Sequence, residues 1–327
     1  MPSNIQERDT QVGIEMAWHN KTSVEKVISA ENCRILYGME MRPLYFLEGG
    51  KPVKTSGRQI ISLDDMQAIG RPVGKDYKLI SNSEIWDAVH VGLAGTKHEV
   101  VSVGTVGDRS LGFISIKVSE DFKAADRETK SMLNILWGHG GIKAVIGRSG
   151  FVVVVCGNTY NMALRENSDF KLSIRHTAKA SVLDLSEAID SHIGVAREFR
   201  LAMDELHSID VSATDARKIY ASFVSGDEVP ESKTGITRFE NTVDELVSLF
   251  ATGKGNAGRT MADVFNGGTD YYSHASSGKS DPWKQFVSSE FGAGRASKNE
   301  LFDILATDSR RKAAVKNGEA VLLALGI

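Results

Sequence analysis

Cysteine is almost absent from this 327-residue sequence, with Cys33 and Cys156 the only two. Thiols this far apart supply neither a disulfide framework nor the paired spacing of a zinc knuckle, so the chain reads as one with reduced thiols in a cytosol. Long apolar runs are lacking too. The longest pure stretch, Phe151–Cys156, falls well short of the ~18–20 residues of a membrane span. The opening residues, Met1 to Asp9, lack the charged-then-apolar pattern of a secretory signal. Neither sign of charge dominates: 39 basic against 42 acidic residues leave a net charge of −3, which argues against a protein wrapped in nucleic acid. With 41% hydrophobic and 25% charged residues, the disordered, collagen-like and coiled-coil classes are excluded. The length leaves room for one large domain or two ordinary ones.

Charge is unevenly distributed along the chain. From Lys51 to Ala180 there are 18 basic against 13 acidic residues, a balance of +5, whereas Leu201 to Phe250 carries 4 against 10, a balance of −6. Only the first part is suited to facing phosphates. The hydropathy pattern changes near the same place. Met41 to Leu47, followed by Glu48-Gly49-Gly50-Lys51-Pro52, reads as strand and turn. A Ser81-Asn82-Ser83-Glu84 cap introduces a helix to about Ala94. Val101 and Val103, then Ile114, Ile116 and Val118, alternate with small or polar residues around the turn at 107–110, as in a β-hairpin. Ser131 to Trp137 and Ile142 to Ile146 flank Gly138-His139-Gly140-Gly141 as a second hairpin. The continuous Val152–Val155 run predicts a buried central strand, and Lys171 to Thr177 a last short one.

Beyond it the apolar period lengthens to about three and a half: Val182, Leu185, Ile189, Ile193, Ala196, Phe199, Met203 and Leu206 predict one long amphipathic helix. Further helices are expected at about 212–225, where Ser212 and Asp215 resemble a capping box, at 242–252, at 258–274, and at two or three places past Asp281, with 225–233 as a linker. The expected fold is therefore α+β: a mainly antiparallel sheet with hairpins in the N-terminal half and a helical C-terminal half. The expected divisions are an arm over 1–20, an α+β core over 21–178 and a helical region over 179–327.

Gly253-Lys254-Gly255-Asn256-Ala257-Gly258 fits G-x-G-x-x-G, and Gly253 to Thr260 nearly fits a phosphate loop with Arg259 in place of lysine. Both motifs need a preceding strand, and the 242–250 segment has helical spacing, so a helix-to-helix connection is expected. A helix start beside Arg259 would still suit an isolated phosphate. His139, His176 and His274, with Asp270 and Cys156, lack metal-ligand spacing, so no metal, cofactor or catalytic residue is assigned. Lys143, Arg148, Asn158, Thr159, Lys171, Arg175 and His176 cluster around the valine strand, where alternate residues share a face. They are expected to form a cationic surface for phosphates, with Trp137 or Tyr160 as a stacking platform for unpaired bases.

Several of these residues carry a resemblance. Gly74-Lys75-Asp76-Tyr77, Asn82 and Glu84, Val154 to Thr159 with Ala163-Leu164, and Ile174 to Thr177 resemble the ordered signature of a phage/plasmid-like family, a domain of unknown function. Gly258-Arg259-Thr260, Asn266, Thr269-Asp270-Tyr271-Tyr272 and His274 resemble its C-terminal pattern, and Trp18-His19 its N-terminal Trp-His. The chain departs from the pattern at Asp270, where the family has Glu, and two residues after Thr260, where it has an aromatic. The resemblance implies a phage or plasmid origin and a bacterial host cytoplasm, and it transfers no catalytic residue. A looser, fold-level similarity connects the chain to phage single-strand annealing proteins. The expected function is non-enzymatic binding, including annealing, of single-stranded DNA through the basic sheet face, in a protein that forms homo-oligomers and does not engage membranes. The alternatives are a metal-dependent enzyme acting on nucleic acid or nucleotides, and a protein-binding inhibitor of a host defence system that uses the acidic 201–250 segment.

Overall fold

The computed structural model describes residues 11–13, 37–106, 108–118, 122–142, 144–153, 159–160, 173–174, 185–226, 228–275, 288–289 and 292–327. Eight strands form one antiparallel sheet in the order β1 (Gln11–Gly13), β5 (Glu99–Val106), β6 (Leu111–Lys117), β8 (Arg127–Gly138), β9 (Val145–Val153) and β10 (Thr159–Tyr160). The short β7 (Phe122–Ala124) pairs with β8, and β11 (Ser173–Ile174) with β9. A separate three-stranded sheet holds β2 (Met39–Glu48), β3 (Lys51–Ser62) and β4 (Ala68–Val73). Helix α1 (Asn82–Leu93) lies between the two sheets in sequence. The helical half follows with α2 (Leu185–His207), α3 (Ala213–Ser225), α4 (Lys233–Thr252), α5 (Met261–Asp270), α6 (Ala293–Leu305) and α7 (Asp308–Leu325). The architecture is α+β, as the change of period predicts. Among the described residues, no helix is long and apolar enough to cross a membrane.

Local signals account for most boundaries. Ser81 accepts from the Glu84 N–H at 3.2 Å while the Glu84 carboxylate accepts from the Ser81 N–H at 2.6 Å, the reciprocal capping box that starts α1. Ser212 caps α3 through the Asp215 N–H at 3.0 Å, but the Asp215 carboxylate accepts from the Ser212 hydroxyl at 2.9 Å rather than from its backbone, so the box is half formed. The β5–β6 turn puts Asp108 and Arg109 at φ of 60° and 64°, and the β2–β3 turn puts Gly49 and Gly50 at 55° and 80°. At Gly49 and Gly50 the paired positive φ values give the twist that a two-residue hairpin needs, whereas the β5–β6 turn spans the four residues between Val106 and Leu111.

Two expected elements differ from what forms. The strand expected at 142–146 and the one expected at 152–155 are parts of the single strand β9, which pairs without a break from Leu136↔Ile146 to Thr129↔Val153. The polar Arg148-Ser149 interruption stays in the ladder because Ser149 finds a buried partner, described below. Val154 and Val155 lie outside the described residues. Helix α4 starts at Lys233, nine residues before the expected 242, because Ser232 caps it through the Gly235 N–H at 3.1 Å.

One face of the large sheet packs on α1 and the start of α2. Val103, Ile114, Ile116, Leu133, Ile135 and Trp137 meet Ile85, Val89 and Ile189 there. The helical core includes Ala124 and Ala125 of the β7–β8 hairpin and Phe151 of β9, which stacks on Phe199 with ring centres 4.4 Å apart. Asp204 accepts from the Ala125 N–H at 2.9 Å. The sheet therefore lends Phe151 and the β7–β8 hairpin to the helical core, while its α1 side forms a second apolar cluster. Of the expected divisions, the 1–20 arm is described only at β1, and the 178/179 boundary lies outside the described residues.

Contacts that join the small sheet to the large one include the following two. Arg109 reaches back to Asp64 at 2.8 Å and to Ser62 at 3.0 Å. Gly70 in β4 and Gly140 after β8 meet backbone to backbone: a Cβ on Gly140 would stand 2.3 Å from the Arg71 nitrogen, and one on Gly70 2.9 Å from the His139 oxygen. Both have positive φ, 63° and 67°, so glycine is required twice over.

Candidate nucleic-acid interface

Strand alternation sorts the expected binding residues onto two faces. Trp137 falls on the helix-packed face and is fully buried. Its Nε1 donates to Asn82 Oδ1 at 2.8 Å, and its ring lies over Gly112, where an added Cβ would come within 2.2 Å. It is a core anchor and offers no platform to a base. His139 is buried beside it, its Nε2 2.8 Å from the same Asn82 oxygen. Sequence alternation already groups Trp137 with Leu133 and Ile135, and the glycine opposite is the sign that the indole turns inward.

The opposite face carries a polar row. Ser102 in β5, Ser115 in β6, Asn134 in β8 and Arg148 in β9 are cross-strand neighbours in register. Ser115 donates to Asn134 Oδ1 at 2.8 Å, while the buried Ser102 hydroxyl and the buried Nε of Arg148 have no hydrogen-bond partner among the described residues. Burial holds the Arg148 guanidinium below its ordinary pKa. One row along lies Lys117, opposite Met132, and Lys130 follows Met132 two residues before it on the same face of β8. Lys117, Lys130 and Arg148 are half-buried, whereas Val101, Phe113, Met132 and Leu136 on this face are buried. The three cations are thus part-exposed members of a face that is otherwise largely buried.

Of the remaining expected residues, Lys143, Asn158, Lys171, Arg175 and His176 lie outside the described residues. Thr159 and Tyr160 are described only as backbone in β10, opposite Val152 and Phe151 of β9. Arg259 is exposed and far along the chain, just ahead of α5. The isolated-phosphate reading of that helix start needs correction, because an internal anion fills it. The Asp263 carboxylate accepts from the Arg259 and Thr260 N–H groups at 3.0 and 3.1 Å and pairs with Arg127 at 2.5 Å. Burial alone would raise its pKa, but those N–H groups and Arg127 together hold it below the ordinary aspartate value. The Gly253 to Thr260 stretch connects α4 to α5, the helix-to-helix link the spacing predicts.

Sequence reasoning missed His192. It is fully buried on α2 between two sheet serines, with Ser131 Oγ 2.7 Å from Nε2 and Ser149 Oγ 2.7 Å from Nδ1, and it stacks on Phe151. Burial first, and His98 nearby, push its pKa down to about 3, so the ring is neutral and joins sheet to helix. Only serines spaced on neighbouring strands hint at such a partner. His274 is exposed on a π-turn, Tyr271–Ala275, that ends α5, four residues beyond Asp270; burial raises the Asp270 pKa against the pull of His274 and Lys254. Among the described residues, no group of three His, Cys, Asp or Glu side chains converges as a metal site.

An antiparallel sheet with helices on one face, and on the other a largely buried polar and apolar face with three part-exposed cations, defines the class as an α+β protein. The chain belongs to the family described as a domain of unknown function (DUF932), whose model matches residues 71–313. The match begins within β4, so β2 and β3 precede it. No curated protein and no solved structure matches the chain.

Proposed function

We propose that this protein binds single-stranded DNA without catalysing a reaction, as part of phage or plasmid DNA metabolism in a bacterial cytoplasm. The observation that carries the reading is Arg148: a desolvated guanidinium whose Nε has no partner among the described residues, on the same sheet face as Lys117 and Lys130. A buried donor left unpaired costs about 1–3 kcal/mol, which a phosphate oxygen would recover as a charge-assisted bond. The polar row beside it, Ser102, Ser115 and Asn134, is buried and backs the arginine from within the sheet. Trp137 leaves the interface, and the phosphate contacts shift from the loop residues to the strands.

A titration of the full chain with labelled oligothymidylate tests this. Three phosphate contacts give a log–log salt slope near ~−2 for a single strand. The Lys117→Ala/Arg148→Gln double variant should flatten that slope by about 1.4 while leaving the fold cooperative. Absence of binding at low salt would overturn the reading. The groove between the end of α3 and the start of α4, about 870 Å³ and lined by Glu228, Val229, Glu231, Arg238 and Phe239, favours a second reading, a protein-binding module.

A further inference from the structure

The β2–β3 hairpin extends well past its own sheet. β4 pairs only with the Arg58 to Ile61 part of β3, so the stretch from Pro43 to Gly57 is a two-stranded ribbon roughly 20–25 Å long. Its tip is apolar and exposed: Tyr45, Phe46 and Leu47 are 55%, 49% and 75% accessible. A two-stranded ribbon without a third strand is marginal in water, and three large apolar side chains at its end gain nothing from the fold.

The chemistry around those side chains indicates what covers them. Lys54 stands directly opposite Tyr45, Lys51 opposite Glu48, and Arg58 opposite Pro43 at the ribbon's base. All three cations are exposed, and Glu48 is the one acidic residue of the 43–58 ribbon. Tyr45 shares its face with Leu47, Pro52 and Lys54, while Phe46 projects from the other face beside Val53. An aromatic ring with a cation across the strand matches the repeating unit of a single strand, a flat base beside a phosphate. A duplex hides its base faces and offers the ring nothing to stack on.

We propose that the β2–β3 arm is a second contact for the single strand, in which Tyr45 and Phe46 stack on unpaired bases and Lys51, Lys54 and Arg58 meet the adjoining phosphates. The proposal rests on the single-strand reading above and supplies the stacking surface that the buried Trp137 does not. It also assigns discrimination between single and double strands to a segment ahead of the region matched by the family.

The test uses the full chain and three labelled probes: oligothymidylate, a duplex of equal length, and an abasic deoxyribose-phosphate oligomer. Tyr45→Ala/Phe46→Ala should weaken oligothymidylate binding about tenfold or more, leave the salt slope unchanged, and leave abasic binding unchanged. Lys54→Ala/Arg58→Ala should instead flatten the slope by about 1.4 for both single-stranded probes. Phe46→Trp should retain affinity, with its emission quenched by oligothymidylate. If the wild type binds oligothymidylate and the aromatic double variant binds it equally well, the arm proposal fails while the sheet-face reading stands. If the wild type binds none of the probes, both fail. If the double variant loses binding only because an oligomer seen by sedimentation dissociates, the arm is a contact between copies of the chain and the proposal is overturned.

Discussion

Replacing Asp263 with alanine removes three interactions at one point. The carboxylate caps α5 through the Arg259 and Thr260 N–H groups, and it neutralises Arg127 of β8, whose side chain is 10% accessible. The cap is worth about 1 kcal/mol. Breaking a buried pair by deleting one partner costs about 3–5 kcal/mol, because the other charge is left without compensation. These terms overlap, so Asp263→Ala should destabilise the protein by about 3–5 kcal/mol, whereas Arg127→Met should cost less, since Asp263 keeps its N–H donors. Urea unfolding followed by circular dichroism measures both, with the midpoint moving at unchanged m. The pH dependence has a fixed sign. A carboxyl whose folded pKa lies below its ordinary 3.8 contributes stability that is present above that value and lost as pH falls through the folded one. The wild type should therefore lose this increment under acid, and Asp263→Ala should lack that part of the acid sensitivity. A cost below about 1 kcal/mol for Asp263→Ala would refute the assignment of this pair as the joint between sheet and helices.

Two other perturbations test the interior. His192 has its pKa pushed down to about 3 from 6.5, so the unfolded chain takes up a proton that the fold refuses; stability should fall as pH drops from about 6.5 towards 3, by at most about 1.4 kcal/mol per pH unit, and His192→Gln should flatten that stretch of the profile. Gly112→Ala drives a methyl group into the Trp137 ring and should lower stability by about 1–3 kcal/mol in a thermal melt; a neutral result would show that the indole has room to move and that its burial is not fixed by packing.

The sheet was legible where alternation was clean. Val103, Ile114, Ile116, Leu133 and Ile135 all point to the α1 and α2 side, as period two requires. It was less legible at Arg148-Ser149, which looks like the end of a strand until His192, more than forty residues on, supplies a partner for the serine. The start of α4 was hidden because Gly235 and the threonines around it are weak helix formers, and only the Ser232 cap marks it. The site was harder still. A row such as Ser102, Ser115, Asn134 and Arg148 exists only through the register of four strands, and no spacing within one strand encodes it. Tyr45, Phe46 and Leu47 read equally well as core residues, since a sequence pattern does not show that no third strand covers the end of a hairpin.

The Gly70–Gly140 crossing fixes a direction as well as a distance. With main chain pressed on main chain at that point, and the Arg109 grip on Asp64 and Ser62 close by, the small sheet is held at two neighbouring points of one corner, where the Ser110 carbonyl accepts from the His139 N–H at 2.7 Å. Two points of attachment leave one axis of rotation, the line through them, so the hairpin tip moves by turning about that line or by bending of the ribbon. One end of that line is two residues with no side chains, and the aim of Tyr45 and Phe46 depends on how closely they meet. Adding a single methyl group at either glycine would re-point the whole arm without touching any group that binds.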